Sequence, residues 1–203
     1  IGASDAQVIL YNGETGAALR GLPGQPGRTT SVSFNADSTL AASASEMGLL
    51  KFWQTADGAD RLQLGGHTGS VTSVDFHPKE AQVVSSGQDG TVRVWNVPGP
   101  TNAKQIPGHS QPVQVVALNR KATVMATAAG DKTVRLVKPD GTAIRTIEGL
   151  PQAASSVAFS DDGAWLAIGD LAGTMRLEPV PDGKNPIVLG AHTAPVTGIV
   201  FHP

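Results

Sequence analysis

The chain has 203 residues and a mass of 20.8 kDa, enough for one large domain or two small ones with a sizeable core. Lysine and arginine number 15 against 17 aspartates and glutamates, a formal charge of -2, so no positive excess exists to hold a phosphate backbone or an anionic bilayer, and neither nucleic acid nor membrane is expected as a partner. Nothing approaches the roughly 18 consecutive apolar residues of a spanning helix, and the chain reads as soluble. Cysteine is absent, which removes disulfides, thiolate metal sites and cysteine nucleophiles together and leaves the compartment open, with the cytoplasm favoured. The 24 glycines and 14 prolines imply many turns and short elements. The first ten residues, IGASDAQVIL, carry neither an initiator Met nor a signal-peptide pattern, and read as the start of a segment cut from something longer.

One unit recurs along the chain. Tyr11, Trp53, Trp95, Val137 and Glu178 follow one another at steps of 42, 42, 42 and 41 residues. Leu22, Leu64, Ile106, Ile147 and Leu189 step by 42, 42, 41 and 42, and triplets ending at Phe34, Phe76, Leu118, Phe159 and Phe201 step by 42, 42, 41 and 42. The missing residue falls in the turn KPDG at 138–141, where a deletion is tolerated. The units run approximately over 1–24, 25–66, 67–108, 109–149, 150–191 and 192–203, the first and last partial.

In the clearest unit the elements follow in order. SVTSVDF (70–76) is a first strand, HPKE (77–80) a turn and AQVVSS (81–86) a second strand. GQDG (87–90) is a turn, TVRVWN (91–96) a third strand, VPGPT (97–101) a turn and AKQI (103–106) a fourth strand. Alternating apolar positions between Gly, Pro, Asp and Asn clusters are the pattern of short antiparallel strands. No segment shows a helical stripe. Four strands in some 42 residues is the spacing of a β-propeller blade, and the predicted class is all-β, a propeller of four-stranded antiparallel blades with about five repeats, the first and last incomplete.

These residues resemble the WD-repeat β-propeller family. The likeness is carried by GH at 66–67, SVTSVDFHP at 70–78 and VVSSGQDGTVRVW at 83–95. Other units depart from it. The Gly-His site reads Gly24-Gln25, Gly108-His109, Gly149-Leu150 and Ala191-His192, and the turn Asp reads Asp5, Met47, Asp131 and Ala172. The resemblance implies a buried tetrad of His67, Ser85, Asp89 and Trp95. It implies partial versions with His109, Thr127 and Asp131 in one neighbouring unit, and Ser43 and Trp53 in the other. The unit with Leu150, Ile168, Ala172 and Glu178 is expected to have lost the network and to rely on apolar packing.

His67, Ser85 and Asp89 also have the composition of a hydrolytic triad, but such positions recur from unit to unit and include an indole donor, which favours a scaffold role. The five histidines fall at repeat positions, so no metal site and no cofactor is expected. Asp-Gly pairs sit in turns. Lys51, Arg93, Arg135 and Arg176 share one third-strand position and are expected to pack their stems and extend their heads to water. All nine aromatics are given core positions. The resemblance places partners on the face bearing the entry to each first strand and the second turn. Its positions there are Arg28, Thr30, Glu46; Ser70, Thr72, Gln88; Pro112, Gln114, Gly130; Ala153, Ser155, Leu171; and Pro195, Thr197, Ser4. Arg28 with Glu46 is its most featured patch, with Gln88 and Gln114 beside it.

The expected function is a non-catalytic scaffold for a protein or peptide partner. The alternatives are an accessory propeller domain of a larger enzyme, or a propeller hydrolase. Ile1 matches Ser85 and Pro203 matches Pro78, so the ends are expected to supply parts of one blade and to leave Thr197 to Phe201 as an open edge. The four fuller blades then form an arc of a larger ring, joined by further blades or by self-association through open edge strands. A compact five-blade ring is the other arrangement.

Overall fold

The computed structural model describes residues 7–97, 103–106, 108–180, 182–190 and 192–202. Ile1, Ser4, Asp5, Ala191, Pro203 and the predicted turn after Val97 lie outside the described residues. A hairpin of β1 (Val8–Tyr11) and β2 (Ala18–Leu22) comes first. Four antiparallel sheets follow, each a meander of four strands in chain order. Sheet I holds β3 (Thr29–Phe34), β4 (Leu40–Ser45), β5 (Leu49–Gln54) and β6 (Asp60–Gly65). Sheet II holds β7 (Val71–Phe76), β8 (Gln82–Gly87), β9 (Val92–Asn96) and β10 (Lys104–Ile106). Sheet III holds β11 (Val113–Leu118), β12 (Met125–Ala129), β13 (Val134–Val137) and β14 (Ala143–Ile147). Sheet IV holds β15 (Ala154–Phe159), β16 (Trp165–Asp170), β17 (Met175–Pro179) and β18 (Ile187–Leu189). No helix occurs among the described residues. The strands expected over 70–106 begin and end within a residue or two of β7 to β10.

Register repeats with the sequence. Val32, Val74, Val116 and Val157 pair with Ser43, Ser85, Thr127 and Ile168, which pair in turn with Lys51, Arg93, Arg135 and Arg176. Each first strand carries one irregularity, at Thr30, Thr72, Gln114 or Ser155, where the pairing skips a residue. Such a bulge takes a side chain out of the alternation and re-aims it.

The sheets stack face to face. Their second strands are buried on both faces and rich in Ala, Ser and Gly, as in Ala41-Ala42-Ser43-Ala44 and Ala126-Thr127-Ala128-Ala129, which lets neighbouring sheets approach closely. Trp53 packs with Val8, Leu10 and Leu22 of the hairpin. Leu50, Phe52 and Leu64 of sheet I share a cluster with Phe76, Val83 and Trp95 of sheet II. Phe52 and Phe76 meet edge to face at 6.0 Å, the arrangement aromatic quadrupoles favour. Val84, Val94 and Ile106 continue to Met125 and Val137, and Leu136 and Ile147 to Leu166, Ile168 and Val180.

Three expectations are corrected. Tyr11 and Phe34 are exposed rather than in the core, because a two-stranded hairpin covers less of β3 than a full sheet covers β7. Residues 196–202 form no strand, since no second strand stands beside them among the described residues. They still follow the repeat where they touch sheet IV, through Val196 N–H to Asp170 O at 3.1 Å and Ser155 Oγ–H to Val196 O at 2.5 Å. The basic third-strand residues do not simply extend to water: Lys51 is buried and bonds Asp60 at 2.9 Å, and the half-buried Arg176 is paired with the buried Glu178. The shortened turn has a local cause: Gly141 N–H reaches back three residues to Lys138 O, whereas Gly58 N–H reaches back four to Gln54 O.

The second turn of each sheet ends in a left-handed residue, Gly48, Gly90, Lys132 or Gly173, at φ of 82, 73, 62 and 85°. A Cβ on Gly48 would lie 2.9 Å from His67 O, so strain and collision coincide there. Lys132 bears the conformational cost of a side chain in this region, offset in part by its Nζ hydrogen bond to Pro151 O at 3.1 Å. Gly48→Ala is expected to destabilise by about 1–3 kcal/mol, and Lys132→Gly to leave stability unchanged or raise it, both measured by urea unfolding.

Candidate functional site

Two sets of residues were singled out by the sequence, a buried polar set and an exposed set on one face. In sheet II the buried set is complete and its proton order can be derived. Asp89 only accepts, so the His67 Nδ1 that lies 3.0 and 3.1 Å from its two oxygens carries the proton. His67 Nε2 therefore accepts from Ser85 Oγ–H at 2.8 Å, and Ser85 Oγ accepts the Trp95 Nε1–H at 2.8 Å. Asp89 is completed by the N–H groups of Thr68 at 3.0 Å and Thr91 at 3.1 Å and the Thr91 hydroxyl at 2.7 Å. A hydrolytic triad runs its protons in the same order. Here, however, Ser85 is fully buried and its oxygen already holds the indole proton, so an acyl carbon has no approach to it.

Sheet III repeats the arrangement without the indole. His109 Nε2 meets Thr127 Oγ1 at 2.8 Å and Nδ1 lies 3.0 Å from Asp131, while Val137 takes the Trp position and packs with Val94 and Ile106. In sheet I, Gln25 stands in for His: its Oε1 accepts Ser43 Oγ–H at 2.8 Å and its Nε2 donates to Thr29 Oγ1 and Ala44 O, both at 3.1 Å. Trp53 Nε1 is buried without an acceptor among the described residues, and Lys51 Nζ sits 5.5 Å from its ring centroid, within cation–π range.

Sheet IV does not rely on apolar packing alone, contrary to the sequence reading. Asp170, two residues before the lost turn Asp, accepts the N–H groups of Ala172 and Thr174, each at 2.9 Å. Glu178, at the Trp position, is fully buried and paired with Arg176 and with Arg145 of the preceding sheet, the latter at 3.2 Å. A further polar link is Asp75 on β7. It accepts from Ser33 Oγ of sheet I at 3.2 Å and from the Leu118 N–H of sheet III at 3.1 Å, tying three first strands together.

Burial pushes His67 and His109 below the ordinary imidazole value, outweighing the neighbouring carboxylates that act the other way. Burial alone would raise Asp89, but the Thr68 N–H, the Thr91 hydroxyl and the His67 ring outweigh it and hold the carboxyl at about 2. Burial raises Asp75.

The exposed set is organised by the backbone. Glu46, Gln88, Gly130 and Leu171 each donate N–H to the carbonyl of Arg28, Ser70, Pro112 or Ala153 at 2.9–3.0 Å, fixing the second turn to the strand entry of the same sheet. Arg28 N–H also donates to Glu46 Oε1 at 3.0 Å, and their charged groups lie 3.8 Å apart. Gln88 and Gln114 are exposed. Thr30, Thr72 and Ser155, read as facing partners, instead turn their bulge hydroxyls onto the next unit, at Val71 O and Val113 O of its first strand and at Val196 O of the segment after sheet IV. Ser4 lies outside the described residues. Among the described residues no group of three His, Asp or Glu converges as a metal site requires.

Stacked four-stranded antiparallel sheets with this polar pattern define a protein of the propeller-blade class. A family model, "WD domain, G-beta repeat", matches residues 59–96, 101–138 and 141–177, more than half of the chain, and the chain belongs to the WD-repeat family. Its repeats mark a domain of the protein-interaction scaffold type. No curated protein matches the chain.

Trp95→Ala is expected to cost about 3–5 kcal/mol, and Trp95→Phe about 1 kcal/mol more than Trp53→Phe, because only Trp95 gives up a hydrogen bond; denaturant unfolding checks both. Stability is expected to fall as pH drops below about 6.5, where histidines protonate in the unfolded chain while His67 and His109 stay neutral in the fold. It falls again below 3.8 as Asp89 approaches its folded value of about 2. Asp75 acts with the opposite sign, its contribution lost as pH rises through its raised value. A His67→Gln, His109→Gln variant, patterned on the Gln25 arrangement, flattens the first decline when melting is followed by circular dichroism.

Proposed function

We propose that this protein is a non-catalytic scaffold that binds a protein or peptide on the face formed by the strand entries and second turns. Arg28, Glu46, Gln88 and Gln114 contribute side chains to that contact. The observation that carries the reading is the division of labour between buried and exposed polar groups. His67, Ser85, Asp89, His109, Thr127 and Asp131 satisfy one another inside the sheets, whereas the four face residues are exposed, Arg28 at a strand entry, Glu46 and Gln88 on second turns that backbone hydrogen bonds hold in place, and Gln114 at the bulge of β11. A backbone already fixed loses little freedom on binding, which favours recognition. The basic and amide groups suit an extended segment with exposed carbonyls or carboxylates, whose oxygens Arg28 and the glutamines would bond.

Selection of a random peptide display library on the wild-type chain tests this. Selected peptides are expected to bind Arg28→Glu and the Gln88→Ala, Gln114→Ala variant at least about tenfold more weakly, which corresponds to some 1.4 kcal/mol. Unchanged affinity in both variants would move the contact elsewhere. Ester or lactone hydrolysis that disappears in a folded Asp89→Asn variant would replace the scaffold reading with an enzymatic one.

A further inference from the structure

In sheets I to III the basic residue of the third strand sets its head against the glycine at the strand entry. Lys51 Nζ donates to Gly24 O at 3.3 Å. A Cβ on Gly66 would lie 2.8 Å from Arg93 Nη1, and one on Gly108 would lie 2.6 Å from Arg135 Nη1, so a guanidinium covers each glycine. In sheet II that guanidinium is also 3.7 Å from the Asp89 carboxylate. Sheet IV departs from the pattern. Arg176 is paired instead with Glu178, which stands at the Trp95 position, and no atom comes within 4 Å of the place a Cβ would take on Gly149.

A cavity of about 150 Å³ opens there, bordered by Gly149, Leu150 and Pro151 of the entry, Ile168 and Asp170 of β16, and Val188 of β18. Ile168, Arg176 and Val188 pair across β16, β17 and β18, on the face whose Glu178 meets Arg145 of sheet III. Asp170 occupies the position of Gly87, where a Cβ would lie 2.4 Å from His67 Nδ1. With Leu150 in place of that histidine, the carboxylate fits. Its Oδ1 accepts the Ala172 and Thr174 N–H groups. Its Oδ2 has no partner among the described residues, although Asp170 is only 1% exposed. The cations nearby are engaged elsewhere, Arg176 with Glu178 and Lys132 with Pro151 O. A buried carboxylate oxygen without a donor is costly, and a donor entering the cavity recovers that cost.

We propose that this cavity binds the guanidinium group of an arginine side chain presented by a partner protein or peptide. Its N–H groups donate to the Asp170 carboxylate, and its stem lies against Leu150, Pro151 and Val188. The carboxylate favours a cation, and the volume suits a flat group about the size of a small ring. A guanidinium, more weakly hydrated than an ammonium, enters a site with apolar walls at lower cost. The same group, from the protein's own Arg93 and Arg135, fills the corresponding place in sheets II and III. None of Arg28, Glu46, Gln88 and Gln114 borders the cavity, so the inference stands apart from the contact proposed above.

Nitrogen–proton correlation spectra of the wild-type chain, recorded as arginine blocked at both ends (acetyl and methylamide) is added, read the outcome. The Ala172 and Thr174 amides are the reporters, because both donate to Asp170 Oδ1. They are expected to shift saturably with the arginine compound and to stay in place with the same derivative of citrulline, its uncharged isostere. Asp170→Asn keeps an oxygen for those two amides, removes the charge, and is expected to weaken binding at least about tenfold. Val188→Lys sets a cation on the cavity wall at a position 67% exposed, where the fold tolerates it, and is expected to weaken binding as much. Unchanged resonances in sheets I and II verify that both variants fold. Three results would overturn the proposal. One is an absence of saturable shifts in the wild type, which means that the cavity holds solvent only. Another is equal binding of the citrulline derivative, and the last is undiminished binding in both variants.

Discussion

A single four-stranded sheet of some twenty residues cannot hide its apolar side chains, because both its faces meet water. Sheets I to III are relieved of that exposure on both faces by their neighbours, and this mutual burial is the constraint from which the other features descend. It dictates small residues on the second strands, where two interfaces fall back to back. It dictates large ones at the positions of Phe52, Trp53 and Trp95, where one sheet reaches into the next. It also makes stability a sum of neighbour terms rather than the property of one central core.

Close packing creates a second problem, since each sheet carries polar turns into a low-dielectric interior. Sheets I to IV answer it with four different sets of atoms. A carboxylate, imidazole, hydroxyl and indole pass protons along a line in sheet II. A glutamine supplies both donor and acceptor in sheet I. Sheet III closes its line on a valine, and sheet IV exchanges the whole set for a displaced aspartate and a carboxylate held by two guanidinium groups. What is common is that a side-chain oxygen, of Ser45 in sheet I, Asp89 in sheet II, Asp131 in sheet III and Asp170 in sheet IV, accepts turn N–H groups. The residue types differ from sheet to sheet, and the balance is incomplete in sheets I and IV, where Trp53 Nε1 and Asp170 Oδ2 are buried without a partner among the described residues.

The repeat was legible because packing demands the same class of side chain at the same depth in every sheet, which puts Trp53 and Trp95 42 residues apart. The strands were legible because one face alternates with the other. The network of sheet IV was not legible, for a geometric reason. Comparing equivalent positions leads to Ala172, where the carboxylate is gone, and passes over Asp170, whose side chain reaches the same N–H groups from the end of the strand. Arg145 was invisible as a partner of Glu178 because it lies on the outer strand of the preceding sheet. Thr30, Thr72 and Ser155 were misread for a related reason. The resemblance places them on the partner face, but a bulge, which the sequence pattern does not reveal, turns their hydroxyls onto the next unit.

Those three hydroxyls have a consequence for how such a chain changes over evolutionary time. Each bonds a carbonyl only 41 residues further on, one repeat length away, and the other ties between sheets I to IV span similar distances. Among the described residues these ties join adjacent units. Duplication of a 42-residue stretch therefore adds a joint of the same length, and a gene encoding it gains copies at little cost wherever side chains paired across a joint, such as Arg145 and Glu178, stay together.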